Sequence, residues 1–334
     1  MYTIELATWP GVLPALIDEV DAAKIAYTVD HSRQAIWIEQ RQVWPLRVPI
    51  RCAQSAFVML DFAVPRPKAL LGQQYFDEII HTAQSIMQAH QFTTLQIDAA
   101  GSDSTVMQRI ATEMSQRLHL QIVRQEGEFV VRIRPSAYGW QVLLRLTPRP
   151  LGARSWRVCN MPGALNAVVA AAMVRWAGIY ADDRVLNVGA GSATLLIERA
   201  QIGEVAQLKG CDISADARLC AQQNITAAGY QDRIEMYDWD ATKLPLPDAS
   251  VDLIMADLPF GQLIGSHNSN IHLYPALLAE AQRVLSQWGR MVLISHEIRL
   301  LYHALNAMDG MRIVDELQVE VGGMHPVMYL VQPH

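Results

Sequence analysis

The chain is poor in charge, in aromatic residues and in patterned cysteine. Charged residues make up 18% and aromatic residues 7%, and acids outnumber bases 33 to 27, for a formal net charge of -6. That balance excludes a polybasic nucleic-acid binder as a description of the whole molecule and leaves room only for a local basic face. The four cysteines, Cys52, Cys159, Cys211 and Cys220, lack the paired short spacings of a zinc site or a disulfide framework. They are expected as reduced, mostly buried thiols. None of His267, His272, His296 and His325 has metal-ligand spacing to a second donor, so no metal is expected. No run approaches the roughly 18 apolar residues of a membrane span. The opening MYTIELATWPGVLPALIDEV has no positive leader and meets Asp18, Glu19 and Asp21 early, which reads as a cytoplasmic protein without a signal peptide or membrane.

What is present is ordinary globular composition, 51% hydrophobic over 334 residues, enough for two cores at about 150 residues each. From about residue 182 onward, short apolar runs at 184–188, 205–212, 233–240, 251–260 and 290–296 alternate with helical spacing, as at 215–228 and 274–287. This alternation predicts parallel βαβ units. Two further strands, MRIVDELQVEV and HPVMYLVQP, joined through Gly322-Gly323, predict an antiparallel strand at the end of the sheet. Before residue 150 the pattern is α+β, with an amphipathic helix carrying Ile79, Ile80, Ala83, Ile86 and Met87 on one side. Residues 151–180 form a connector whose alanine-rich helix is expected to open at Pro162-Gly163.

The chemistry is expected in the loops after the strands, because ligands of open α/β sheets sit at the carboxyl ends. After the first strand, VLNVGAGSATLLIE carries Gly189 and Gly191 but Thr194 where a dinucleotide fingerprint needs its third glycine. Asp212 follows roughly 20 residues later, where a carboxylate can accept ribose hydroxyls. Asp238-Trp239-Asp240 follows the third strand and Asp257-Leu258-Pro259-Phe260 the fourth. Singly each has a plain explanation: a tight turn, an N-cap at Asp212 or Ser214, a solvated acid at Asp240, a packed Trp239 or a structural Pro-Phe-Gly turn. Together they are improbable by chance.

In that order the loops resemble class I S-adenosylmethionine-dependent methyltransferases of the amino-methylating branch, which carry an Asp/Asn/Ser-Pro-Pro-aromatic tetrapeptide at this place. Here Leu258 replaces the first proline. Arg154-Ser-Trp-Arg157, Pro162-Gly-Ala-Leu-Asn166, Ala170-Ala-Ala-Met173, Gly322-Gly-Met-His325 and Trp9-Pro-Gly-Val-Leu13 extend the resemblance to THUMP-domain RNA methyltransferases across nearly the whole chain. Asn187, where relatives often have an acid, and Ala193, where a third small glycine is usual, depart from the pattern. The resemblance implies a ferredoxin-like piece over 1–65, a THUMP-like RNA-binding domain over 66–150, a linker and helix over 151–180, and a Rossmann-like methyltransferase domain over 181–334. It implies S-adenosyl-L-methionine held by Pro162, Asn187, Gly189, Ala190, Gly191, Asp212, Ile213, Asp240, Ala241 and Asp257.

The same resemblance implies that Asp257 and the Leu258 carbonyl accept the two hydrogens of an exocyclic amine beside Pro259, with Phe260 stacked on the base. The implied substrate is the N2 amine of guanine in RNA, with tRNA and its acceptor stem foremost. Arg132, Arg134, Arg149, Arg154 and Arg157, with Arg124 and Arg145, are the candidate phosphate contacts, although alternating arginines on a strand are more often its wet face. Left open are a catalytically silent descendant and amino-methylation of ribosomal RNA, DNA adenine or protein glutamine.

Overall fold

The computed structural model describes residues 1–259 and 267–334. In chain order the elements are β1 Tyr2–Ala7, α1 Leu13–Ala22, β2 Tyr27–Asp30, β3 Ala35–Gln40, β4 Ser55–Phe62, α2 Gln73–Met87, β5 Thr94–Ala99, α3 Thr105–Leu118, β6 Gln121–Ile122, β7 Phe129–Ser136 and β8 Gly139–Arg145. There follow α4 Ala167–Trp176, β9 Arg184–Val188, α5 Thr194–Ile202, β10 Gln207–Cys211, α6 Ala215–Ala228, β11 Ile234–Tyr237, β12 Val251–Asp257, α7 His267–Val284, β13 Leu285–Ser295, α8 Ile298–Asn306, β14 Met311–Gln318 and β15 Val327–Pro333. Two compact units result: Met1–Thr8 with Glu19–Gly152, and Trp9–Asp18 with Ala153–His334. Among the described residues no helix is long and apolar enough to cross a membrane.

The first unit is built on one eight-stranded sheet in the order β2-β3-β1-β4-β8-β7-β5-β6. Residues 1–65 and 66–150, expected as separate pieces, are joined in it through the antiparallel β4–β8 pair. Alternation along the strands puts Ile4, Leu6, Ile36, Ile38 and Val58 in the core, each at most 1% exposed and worth about 1.5–3 kcal/mol in burial. The amphipathic helix predicted before residue 90 is α2, with Phe76, Ile79, Ile80, Ala83 and Ile86 buried.

The second unit carries a seven-stranded sheet in the order β11-β10-β9-β12-β13-β15-β14. β11, β10, β9, β12 and β13 run parallel and β15 antiparallel to β13, as the C-terminal pattern predicts. Strand order reverses between β9 and β12, and at such a switch point the loops after the two strands diverge to open a crevice. Tyr274, Leu277 and Leu278 of α7 pack with Ile254 and Ala256 of β12 and Met291 and Leu293 of β13. The Pro10-Gly11 turn lies against the carboxyl end of β14. Gly11 has φ +85°, and a Cβ there would stand 2.1 Å from the Gln318 carbonyl oxygen, so only glycine fits.

Three expectations change. The helix predicted over 274–287 starts earlier and stops at Val284, because Leu285 enters the sheet opposite Val251 and strand pairing overrides helical spacing. Helix α4 does not open at Pro162-Gly163: Asn166 is its N-cap, with Oδ1 accepting from the Val168 and Val169 amides at 2.9 and 3.4 Å. Finally, Cys159 and Cys220 are joined as a disulfide with Cα atoms 5.4 Å apart, not kept as separate thiols. Folding lays the connector on α6 and brings together cysteines that are 61 residues apart in sequence. Cys52 and Cys211 remain reduced and buried, as expected.

Candidate active site

The loops after β9, β10 and β11 and the end of β12 lie at the carboxyl edge of the parallel strands, on the two sides of the switch point. Gly189 and Gly191 have φ +59° and +53°, and nothing lies within 4 Å of where a Cβ would be. The loop therefore offers bare backbone to an open space. The Ala190 amide donates to the Cys211 carbonyl (2.9 Å) and the Ala193 amide to the Ala190 carbonyl (2.8 Å), which closes the turn into α5. Ala193 takes the left-handed conformation itself, φ 62° and ψ 24°, in place of the expected glycine.

Asp212 closes the other side. Its Oδ2 accepts from the Gly191 amide and its Oδ1 from the Ser214 amide, both at 2.9 Å, while Ser214 is the N-cap of α6. One carboxylate thus ties the glycine loop to the β10–α6 turn, and each of its oxygens keeps a second lone pair for a ligand hydroxyl. The next residue, Ile213, is 72% exposed, a bare apolar surface beside that acid. Arg218 donates to the Asp212 carbonyl oxygen (2.8 Å) and to Asp238 (2.9 Å), so Asp238 is paired within the fold.

Asp240 is exposed. Its Oδ1 accepts from the Thr242 amide (2.8 Å) and hydroxyl (2.7 Å), which hold its carboxyl below the usual range and ionised. Ala241 packs at the margin of the core. Trp239 stacks on Tyr237 with centroids 4.0 Å apart and planes 12° from parallel, so its ring already has a partner.

At the end of β9, Asn187 is 1% exposed. Its Nδ2 donates to the Met255 carbonyl (2.9 Å), and its Oδ1 is buried with no hydrogen-bond partner. An orphaned acceptor beneath an open glycine loop costs free energy unless a ligand donor meets it. On the neighbouring strand, Asp257 ends β12 half-buried, and burial pushes its carboxyl up to about 7. Leu258 is 2% exposed, and its amide donates to the Ile294 carbonyl (2.9 Å). Phe260 lies outside the described residues. Pro162 is exposed in the turn before α4.

The arginine candidates part company here. Arg154 donates to the fully buried Glu198 (2.9 Å), and Arg157 to Thr194 Oγ1 and the Leu165 carbonyl, both at 2.8 Å. These bonds make both side chains internal struts that seat the connector on α5, although the sequence offers them as phosphate contacts. Arg145 donates to the Gly127, Glu128, Thr147 and Pro148 carbonyls. Arg132 bonds Asp98 (2.7 Å) and Arg134 bonds Glu5 (2.5 Å), so their charge is balanced on the sheet face. Arg149 is exposed.

Two groups in this region carried no motif. Asn224 accepts from the Val158 and Cys159 amides and donates to the Cys159 and Ser192 carbonyls, tying connector to glycine loop. Asn270 and Tyr274 both donate to the Pro259 carbonyl, at 2.8 and 2.7 Å. Their only trace in sequence is an i, i+4 spacing in the helix after the tetrapeptide.

The strand order, with the glycine loop, the acids after β10 and β11 and the acid ending β12, defines a class I methyltransferase fold. Residues 154–327 match the family UPF0020, described as RMKL-like, methyltransferase domain. The chain belongs to that family, and the cofactor of its fold is S-adenosyl-L-methionine. Among similar proteins, the mouse tRNA (guanine(6)-N(2))-methyltransferase THUMP3 is 41% identical over 101 residues, 30% of this chain and 20% of that protein. The tRNA (guanine(6)-N2)-methyltransferase of Thermus thermophilus is 30% identical over 205 residues, 60% of each chain. The crystal structure of TrmN from Thermus thermophilus superposes over 100% of both chains with a TM-score of 0.76 at 22% identity, a likeness of fold. The aligned stretch is thus about a fifth of the length of the mouse relative.

Proposed function

We propose that the protein is an S-adenosyl-L-methionine-dependent RNA methyltransferase that methylates the exocyclic N2 amine of a guanine, with tRNA, at its acceptor stem, as the substrate. The observation that carries this reading is the tetrapeptide at the end of β12: an acid, Asp257, and a buried Leu258 beside the glycine loop at the switch point. Relatives from several organisms bear the name of guanine-N2 methyltransferases, which supports the choice of amine.

The residues fit the cofactor. Gly189, Ala190 and Gly191 offer backbone to an open space, Asp212 has lone pairs for ribose hydroxyls, and Ile213 offers an apolar face for a base. Asn187 Oδ1 supplies an acceptor for a charged amine, and Asp240, Ala241 and Pro162 complete the proposed set. Bound there, the cofactor supplies a methyl group on a sulfonium, an electrophile that needs no metal. The protein must then aim a poor nucleophile, because the amine lone pair is delocalised into the base. Asp257 and the Leu258 carbonyl accept its two hydrogens, hold the nitrogen in line and stabilise the positive charge that develops. With its carboxyl raised to about 7, Asp257 is also poised to take the proton released by transfer. Phe260 is assigned to stacking on the base.

The N-terminal unit is proposed to act as a THUMP-like RNA-holding module, with the exposed Arg124 and Arg149 foremost among the phosphate candidates, in a cytoplasmic protein. The test is transfer of label from S-adenosyl-L-methionine to total small RNA, with nucleoside analysis. N2-methylguanosine that disappears with Asp257→Ala is expected. Label on ribosomal RNA, DNA or protein instead would replace the substrate, and label on nothing would make the chain a silent binder.

A further inference from the structure

The peptide after Asp257 is held from both sides. On one side, the Leu258 amide donates to the Ile294 carbonyl of β13 (2.9 Å). On the other, the Pro259 ring fixes its own φ, and the Pro259 carbonyl accepts two bonds, from Asn270 Nδ2 (2.8 Å) and the Tyr274 hydroxyl (2.7 Å). Both donors project from one face of α7, four residues apart, and both residues are fully buried. With Leu258 N and Pro259 O anchored, the intervening Leu258 carbonyl can swing only if an anchor breaks.

The donors are themselves ordered. The Glu297 amide donates to Ser295 Oγ (2.9 Å), which leaves the serine proton for Tyr274 Oη (2.8 Å) and the tyrosine proton for Pro259. Burial pushes the Tyr274 phenol up to about 12, so it stays a donor at working pH. Fully buried polar side chains are costly when unpaired, and apolar residues of the same size fill a core more cheaply. Here two of them, Asn270 and Tyr274, converge on one carbonyl two residues beyond the proposed catalytic acid, and a third, Ser295, bonds Tyr274 from behind.

We infer that Asn270 and Tyr274, backed by Ser295, are positioning residues: they aim the Leu258 carbonyl, and through it the substrate amine, at the methyl donor. The inference rests on the proposed role of the tetrapeptide and assigns to it the residues that set its geometry. A clamp of this kind acts on the reaction step and leaves the binding of cofactor and RNA alone.

The test compares Tyr274→Phe, Ser295→Ala, Asn270→Ala and the Asn270→Ala/Tyr274→Phe pair with the parent and with Asp257→Ala. It measures kcat on total small RNA, KM for the RNA, S-adenosylhomocysteine affinity by calorimetry, and melting. A displaced acceptor is expected to lower kcat roughly tenfold for Tyr274→Phe and on the order of 100-fold for the pair, with less for Ser295→Ala. RNA KM and S-adenosylhomocysteine affinity are expected to stay within about twofold. If Asn270→Ala and the pair do not fold, Tyr274→Phe and Ser295→Ala decide, since each removes only an oxygen. Folded variants with unchanged kcat beside an inactive Asp257→Ala would overturn the clamp alone, as would a loss confined to cofactor affinity. An active Asp257→Ala would overturn the role of the tetrapeptide itself, and the clamp with it.

Discussion

Strand β12 carries one acid at each end, and the two have opposite fates. Asp252, near its amino end, accepts two bonds from the Arg184 guanidinium (2.7 and 2.9 Å), one from the Arg184 amide and one from Ser286, and the guanidinium holds its carboxyl well below the usual range. Asp257, at the carboxyl end, is pushed up to about 7 by burial. The rest of the sheet repeats the contrast. At the amino end Arg290 bonds Asp183 twice (2.9 and 2.8 Å), and Arg199 lies 3.8 Å from the same acid while donating to the Tyr180, Gly203 and Glu204 carbonyls. At the carboxyl end Asp212 and Asp240 are held by backbone amides, which leaves lone pairs facing outward. One end of the sheet uses charge to close the structure, and the other keeps charge available to a ligand.

The most damaging way to break this division is Asp183→Ala, which strands Arg290 and Arg199 in the interior. A loss of about 3–5 kcal/mol in urea unfolding is expected. Activity per folded molecule should be unchanged, and an activity loss without a stability loss would refute the structural role. Asp257→Ala should do the reverse, costing roughly 10²–10³ in methylation rate with no loss of melting temperature. Asp212→Ala removes a charged acceptor from the cofactor loop and is expected to weaken S-adenosylhomocysteine binding by roughly ten- to a hundredfold in calorimetry, at about 1.5–3 kcal/mol for a charged hydrogen bond.

The raised Asp257 carboxyl sets the pH dependence. In the proposed role its ionised form accepts the amine hydrogens, so the rate should climb about tenfold between about pH 6 and pH 8 and then level off. Asp257→Asn should be slower and flat over the same range. For stability the sign is opposite to that of activity. A carboxyl whose folded pKa lies above its unfolded value contributes stability below the unfolded value and loses it as pH rises through about 7. Asp257→Asn should therefore gain stability over the parent at alkaline pH and lose that advantage in acid, read from paired melts. The smallest effect is expected at Ala193. Its left-handed backbone carries a cost of about 1–2 kcal/mol that glycine does not, offset by the greater freedom of glycine in the unfolded chain. Ala193→Gly should raise stability by less than about 1 kcal/mol, and a clear loss would mean that the buried methyl is a packing contact.

The strands and loops of the second unit were legible because each rests on a local signal. β9 occupies the apolar run at 184–188, and α6 the helical segment at 215–228. The Asp212 loop, the Asp240 turn and the tetrapeptide follow from where such strands end. Positions with a plausible local signal and a different fate were those decided across the sequence. Arg154 and Arg157 resemble surface contacts until Glu198 and Thr194, some 40 residues on, are folded against them. Cys159 and Cys220 have no short spacing to mark them. The clamp on Pro259 consists of single residues from α7 and β13, and no pattern announces it.

By itself the sequence determined the order of strands and helices, the glycine loop, and the acids that follow β10, β11 and β12. Hydrophobic period, turn residues and strand ends are properties of neighbouring residues along the chain. Only the tertiary structure decided which charges are balanced, which acid is driven toward neutrality, and which carbonyl is clamped. Those depend on burial and on partners tens of residues away, brought within hydrogen-bonding distance only when the sheet closes.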